Sequence, residues 1–214
     1  VPEIVPYLLF VLFAPIAWPL ALPVLLILAI DLGTDMVPAI GLGVEKPSPE
    51  IMKRPPRKRS EKLFNTLMVI RSYGFFGPLQ TTFSFLVFFH ILFSGGWTWG
   101  AKLPVTDPLY MTAVTGFFAT IIITQMFNLF ACRHARTSIF RAGIFGNKVI
   151  ILGVLTEVIL LLVLIFIGPI STIFGTHPFP LLYIPWMIGA GAVLLLAEEL
   201  RKYLERHHHL FRIR

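Results

Sequence analysis

Two aspartates, Asp31 and Asp35, lie four positions apart near the end of a long apolar run. A carboxylate in the hydrocarbon core of a membrane is disfavoured by a few kcal/mol or more, so such an acid is by default a candidate for binding a cation or carrying a proton. A spacing of four places both side chains one helical turn apart, where they can face the same interior point. The pair therefore indicates a cation site. The alternative is that both acids cap a helix or hydrogen-bond within the bundle.

Two of the three residues between the acids, Gly33 and Thr34, are ones at which a helix can unwind locally. Unwinding would add backbone carbonyls and the Thr34 hydroxyl to the carboxylates as oxygen ligands, as in broken transmembrane helices that bind ions. Hard cations such as Na⁺, K⁺, Ca²⁺ and H₃O⁺ prefer oxygen donors. Neither His nor Cys is nearby, which argues against a soft metal.

Four further polar residues interrupt apolar segments. Gln125 and Asn128 are three positions apart and share a helical face, where helix-to-helix hydrogen bonds and neutral carbonyl ligands are both open to them. Glu157 lies in a helix of Ile, Leu and Val, and we expect it to act as a ligand or a proton carrier. Glu3 either reaches the same depth from a second broken helix or is an ordinary exposed glutamate.

The composition indicates which elements must position these residues. The chain is 56% hydrophobic and only 14% charged, and its mean hydropathy of +0.80 indicates an integral membrane protein. We predict an all-α bundle of about six transmembrane helices, forming a single transmembrane domain over residues 1–214. The apolar segments lie near residues 4–16, 22–43, 67–93, 109–131, 148–168 and 180–200. The first is shorter than the roughly 20 residues of a straight crossing, so we expect a truncated helix.

Prolines at positions 15, 19 and 23 separate the first two segments, because their fixed φ and missing N–H make one continuous helix improbable.

Seventeen of the eighteen Lys and Arg residues fall in three stretches, and Lys102 alone lies elsewhere. Those stretches are residues 45–71, 133–148 and 201–214. By the positive-inside rule they are cytosolic, which places a connecting loop at about 44–64 and a C-terminal tail at about 203–214 in the cytosol. The net charge of +7 therefore reflects membrane loops, and nucleic acid is not an expected partner. We expect His207–His209 to belong to the solvated tail.

The order of these features resembles the C-terminal transmembrane half of cation-transporting P-type ATPases, closest to the sodium/potassium and proton/potassium pumps and next to the calcium pumps. The matching pieces are residues 2–4, 30–40, 51–57, 125–128 with 132–133, 147–148 leading to 157, and 198–202. The resemblance implies that the six spans are the fifth to tenth helices of such a pump, the first of them truncated.

The resemblance also implies roles for individual residues. Glu3 matches the fifth-helix glutamate ligand, and Asp31 and Asp35 match the paired sixth-helix ligands. Gln125 matches the eighth-helix ligand, and Glu157 matches a ninth-helix acid linked to an additional sodium site.

The chain departs from the sodium/potassium pumps at some positions. Asn128 stands where those pumps carry an aspartate and calcium pumps an asparagine, and Thr156 replaces a neighbouring acid in the ninth helix.

The function expected from the resemblance is that of the membrane domain of an ATP-driven cation pump in the plasma or cell membrane. The sequence contains no Asp-Lys-Thr-Gly-Thr phosphorylation motif and no Gly-rich phosphate loop, so no cofactor is expected in this chain and ATP and Mg²⁺ belong to the parent pump. Expected partners are the lipid bilayer, the transported cations, the first four helices and the actuator, phosphorylation and nucleotide-binding domains. The alternative is a standalone, non-enzymatic membrane subunit or inactive fragment. An unrelated secondary carrier would show inverted repeats, which the sequence lacks.

Overall fold

The computed structural model describes residues 1–47, 66–135 and 137–208, and every regular element in those ranges is a helix. The α-helices are α1 (Ile4–Leu12), α2 (Val24–Leu28), α3 (Met36–Gly43), α4 (Thr66–Val69), α5 (Gly77–Ser94), α6 (Pro108–Cys132), α7 (Ile139–Ala142), α8 (Lys148–Phe166), α9 (Gly168–Phe174) and α10 (Tyr183–His208). Two π-helices, Ala29–Thr34 and Ile70–Phe76, join α2 to α3 and α4 to α5. Two short 3₁₀ turns lie at Ala14–Ile16 and Ile144–Gly146.

Five helical segments in the described ranges are long and apolar enough to cross a membrane. They are Val24–Gly43, Ile70–Ser94, Pro108–Cys132, Lys148–Phe166 and Tyr183–Arg206. The predicted all-α, multi-pass membrane bundle is thus confirmed. The remaining predicted segment corresponds to α1, whose nine residues are too few for a crossing, as expected for the first segment.

Most of the predicted connecting loop lies outside the described residues, and so does the tail beyond residue 208. The first part of the predicted tail is helical, because α10 continues to His208.

The prolines between α1 and α2 act as predicted. Pro15 lies in the 3₁₀ turn after α1, and Ala17 takes a left-handed conformation with φ of 54°. Pro23 has the extended φ and ψ of −63° and 151° directly before the first residue of α2, so it fixes where that helix begins.

Helix α6 is the centre of the bundle and packs against α5 and α10. Its buried face contains Phe117 and Phe118, and Phe117 meets Phe88 of α5 edge to face. Gly116 lets α5 approach, because a Cβ there would lie 2.5 Å from Cδ1 of Ile91. Small residues at helix crossings permit this close packing in membranes, where no hydrophobic effect drives helices together.

Helices α3 and α8 form a second close pair, in which backbone meets backbone. A Cβ on Gly153 of α8 would lie 3.0 Å from the backbone nitrogen of Pro38 in α3. A Cβ on Gly41 of α3 would lie 3.1 Å from the backbone nitrogen of Ile150 in α8. Backbone atoms cannot rotate aside as side chains do, so these two glycines set the separation of the two helices.

Replacing Gly153 by valine therefore forces α3 and α8 apart. We expect Gly153→Val to destabilise the bundle by about 1–3 kcal/mol, the usual effect of overpacking, and to lower the thermal unfolding midpoint in detergent micelles. Gly189 in α10 is the matched control, because a Cβ there would meet nothing within 4 Å. Equal midpoints for Gly153→Val and Gly189→Val would contradict the α3–α8 contact.

Candidate cation site

The π-helix at Ala29–Thr34 carries two of the predicted site residues, Asp31 and Thr34. The backbone N–H of Asp35 donates to the carbonyl of Ile30, five residues back, at 3.0 Å. The Thr34 hydroxyl donates to the same carbonyl at 3.0 Å. The helix therefore widens at this point and does not unwind as predicted, because the Ile30 carbonyl accepts both hydrogen bonds and is not freed as a ligand. Wide turns of this kind occur frequently at functional sites.

Asp35 occupies the N-cap position directly before α3, but its carboxylate makes no capping hydrogen bond there. The capping alternative raised by the sequence therefore does not apply to Asp35. Its side chain is half-buried, while that of Asp31 is exposed on the surface of the described chain. Thr34, between them, is fully buried.

Four predicted acids lie within electrostatic range of one another in a series. Glu3 on the first turn of the chain interacts with Asp31, and Asp35 interacts with both. Glu157, on α8, interacts with Asp35. Charges of one sign repel strongly in a medium of low dielectric constant, so this arrangement requires protons or cations to neutralise it.

Two oxygens near the middle of the bundle are buried and have no hydrogen-bond partner within the described residues. They are Oε2 of Glu157 and Oε1 of Gln125. Glu157 is only 2% exposed, and its helix, α8, contacts α6, which carries Gln125. An unpaired buried acceptor is costly, so each oxygen has a ligand or proton to gain.

Asn128 differs from Gln125, because its Oδ1 accepts a hydrogen bond from Cys132 Sγ at 3.6 Å within the same helix. The structure thus gives Asn128 a local partner and leaves Gln125 without one.

The acids form a series and not a compact shell. Among residues 1–47, 66–135 and 137–208, no three His, Cys, Asp or Glu side chains are grouped closely enough to hold a metal ion. Any cation at these acids must take further oxygens from hydroxyl, amide or carbonyl groups, or from other parts of a larger protein.

A second polar cluster, not anticipated from the sequence, lies at the other end of α3 and α8. We call Glu45, Arg133 and Asn147 the loop clamp. Nε of Arg133 donates to Glu45 Oε2 at 2.9 Å, and Nη2 donates to Oε1 at 3.1 Å. Nδ2 of Asn147 donates to Glu45 Oε2 at 3.0 Å. The three residues are far apart in sequence, so no local spacing signals the cluster.

A family model described as "Cation transporting ATPase, C-terminus" matches residues 19–204. The chain belongs to this family. It is the C-terminal membrane region of a cation P-type ATPase, as the resemblance indicated.

Among curated proteins, this ATPase region is similar to the sodium/potassium-transporting ATPase subunit alpha-4 of Rattus norvegicus, with 33% identity over 96% of the chain. The alpha-2 subunit of Gallus gallus is 34% identical over 97% of the chain, and the human alpha-4 subunit is 31% identical over 97%. In each case the chain covers 22% of the relative. It thus spans about a fifth of the length of these relatives.

The loop clamp of this ATPase region gives a pH-dependent contribution to stability. Hydrogen bonds from Arg133 hold the pKa of the Glu45 carboxyl below its ordinary value, and Asn147 adds to this although burial acts in the opposite direction. A lowered pKa in the folded state stabilises the fold above the ordinary pKa of a glutamate, and this stability is lost as the pH falls through the folded pKa.

We therefore expect the unfolding midpoint of the unmodified chain to fall more than that of Glu45→Gln between about pH 6 and about pH 3. At neutral pH the unmodified chain should be the more stable of the two. Thermal unfolding in detergent across that range measures both effects. If the unfolding midpoints of the two proteins changed in parallel with pH, the Glu45 carboxylate would not contribute to the pH dependence of stability.

Proposed function

We propose that this chain is the membrane part of an ATP-driven pump and that small cations bind to it and cross the membrane through it. The observation that carries the proposal is a series of interacting acids on apolar helical segments, in which Glu157 is buried, Glu3 and Asp35 are partly buried and Asp31 is exposed. Bundles bury acids at a cost that only protons, cations or partner groups offset, and acids kept at membrane depth are usually functional.

The cation is bound by oxygen atoms from several helices. The carboxylates of Glu3, Asp31 and Asp35 supply charge, and the Thr34 hydroxyl and the unpaired Oε1 of Gln125 supply neutral donors. This donor set suits hard cations such as Na⁺, K⁺, H₃O⁺ or Ca²⁺. Because the relatives are named for sodium and potassium transport, monovalent cations are the first to test.

Glu157 has a role separate from that of the three other acids. It is more deeply buried than the three other acids and interacts directly with Asp35 alone among them. It therefore binds a further cation or holds a proton whose presence changes the charge felt at Asp35. Asn128 supplies an additional neutral carbonyl when its bond to Cys132 opens.

The energy comes from parts of the pump outside this chain, which spans about a fifth of the relatives' length. ATP and Mg²⁺ act on the nucleotide-binding and phosphorylation domains, and formation and hydrolysis of an aspartyl phosphate drive alternating access. The exposed position of Asp31 leaves one side of the site open to the first four helices.

The assignment is tested in the full-length pump by removing one charge at the centre of the series. We expect Asp35→Asn to raise the cation concentration for half-maximal ATP hydrolysis by about tenfold or more, equivalent to about 1.4 kcal/mol of lost cation binding. Glu157→Gln should change the same constant, because its charge acts on Asp35. Cation-stimulated ATP hydrolysis in membranes or detergent measures both.

Thr156→Val is the matched control for Glu157→Gln, since Thr156 is the adjacent residue and its hydroxyl bonds within its own helix to Leu152. Thr156→Val should leave the cation concentration for half-maximal ATP hydrolysis unchanged. Normal cation stimulation in Asp35→Asn would refute the site assignment. A full-length protein that hydrolyses no ATP, with or without cations, would favour the non-enzymatic subunit.

The proposed orientation, with the basic loops and the C-terminus in the cytosol, is tested by labelling. In a Cys132→Ser background, a cysteine at Lys102 should react with an impermeant maleimide added outside intact cells. A cysteine at the exposed position Phe145 should react only after the cells are opened. Labelling of Phe145→Cys in intact cells would contradict the proposed orientation and favour the opposite one.

A further inference from the structure

The guanidinium of Arg133 makes four hydrogen bonds at the basic end of the bundle. Its side chain is 1% exposed and binds both oxygens of Glu45. Nη1 also donates to the carbonyls of Gly143 and Ile144, at 3.1 and 2.8 Å. A buried, bidentate arginine–carboxylate pair has a fixed geometry, and removing one partner leaves the other unpaired. Arg133 thus holds the chain after α3 against the connection between α6 and α8.

Asn147 attaches the same point to the beginning of α8. Its Nδ2 donates to the carbonyl of Gly41 at 2.9 Å as well as to Glu45. Its Oδ1 accepts from the backbone N–H groups of Val149 and Ile150, at 3.0 and 3.2 Å, and so caps α8. One side chain therefore joins the last turn of α3 to the first turn of α8.

The two helices joined in this way are the ones that carry the inner acids. Asp35 immediately precedes α3, and Glu157 lies about halfway along α8. The backbone contacts at Gly41 and Gly153 set how closely the two helices approach each other. From Asp35 to Glu45 the chain advances about 15 Å, at about 1.5 Å per residue.

We propose that the loop clamp makes α3 and α8 a single rigid body that transmits cation binding at Asp35 and Glu157 to the chain that follows Glu45. This inference rests on the proposed pump function and adds a means of coupling to it. Arg133 is a positioning residue, since it acts through Glu45 and through backbone carbonyls and is not a ligand of the cation. Without the clamp, cations still bind, but α3 moves without α8 and the response at the basic end is lost.

The test separates cation binding from its consequence in the full-length pump. In Arg133→Met we expect the equilibrium dissociation constant of the cation, measured without ATP, to stay within about twofold of the unmodified value. The rate of cation-dependent phosphorylation should fall by about tenfold, within the usual range of coupling between sites. Arg133→Lys should restore part of that rate, because lysine keeps the charge but cannot bind both oxygens of Glu45.

A distance measurement tests the rigid body directly. Spin labels at Val44→Cys and Phe145→Cys, both exposed positions on the two sides of the clamp, are introduced in a background in which Cys132 and every other cysteine of the full-length pump are replaced. The unmodified pair should give a narrow distance distribution that shifts when the cation is added. In Arg133→Met the distribution should broaden and lose that shift. Arg141→Met, a substitution of an exposed arginine in the same connection, is the control and should change neither distance nor rate.

Each outcome decides a different point. If the unmodified pump shows no cation-dependent phosphorylation, the proposed function fails. If it does, and Arg133→Met phosphorylates at the normal rate, the clamp does not couple. The inference would also be overturned if the dissociation constant of the cation rose by the same factor as the phosphorylation rate fell, because Arg133 would then act on cation binding. If Arg133→Met does not fold, Glu45→Gln decides, with about a fivefold loss of rate and unchanged cation binding expected.

Discussion

The interaction on which this structure depends is the repulsion between carboxylates held together in a medium that solvates charge poorly. Asp35 experiences the charges of Glu3, directly before α1, and of Asp31 in the π-helix, and Glu157 on α8 in turn experiences the charge of Asp35. No arrangement of apolar side chains compensates for such a group of charges. The helices must therefore be held together by other contacts strong enough to keep the acids in place.

Those contacts are distributed unevenly over the bundle. The central α6 is the most enclosed of the five spans, and the spans that carry Asp35 and Glu157 are the least enclosed. The part of the chain that binds α5, α6 and α10 together is thus separate from the part that carries the acids. Stability comes from aromatic and aliphatic packing around α6, and the α3–α8 pair lies beside that core, in contact with it mainly through α8.

The sequence predicted the parts of this arrangement that follow from local composition. Apolar runs located five spans, and Pro15 and Pro23 located the break before α2, because both signals act over a few residues. The acids were found for the same reason, since a charge in an apolar run is visible without knowing its neighbours. Their roles as cation ligands stay a prediction.

What the sequence could not predict depends on residues that meet only in the folded chain. Arg133 and Glu45 are 88 positions apart, and Asn147 and Glu45 are 102 apart. Gly41 and Gly153 look like ordinary helix glycines until their opposing backbones are in place. The wide turn before Asp35 was expected only as an unspecified unwinding, because propensities do not distinguish a π-helix from a break.

That wide turn also affects how the protein tolerates changes in length. A π-helical hydrogen bond encloses one more residue than an α-helical bond, so Ala29–Thr34 holds a surplus residue between two regular helices. Elsewhere in a span, losing one residue rotates everything beyond it by about 100° and turns buried faces towards lipid. A deletion inside Ala29–Thr34 instead converts the turn to regular α-helix and leaves both flanking helices in register. The segment that carries Asp31 and Thr34 is therefore the one place in its span where the chain can shorten without losing its packing.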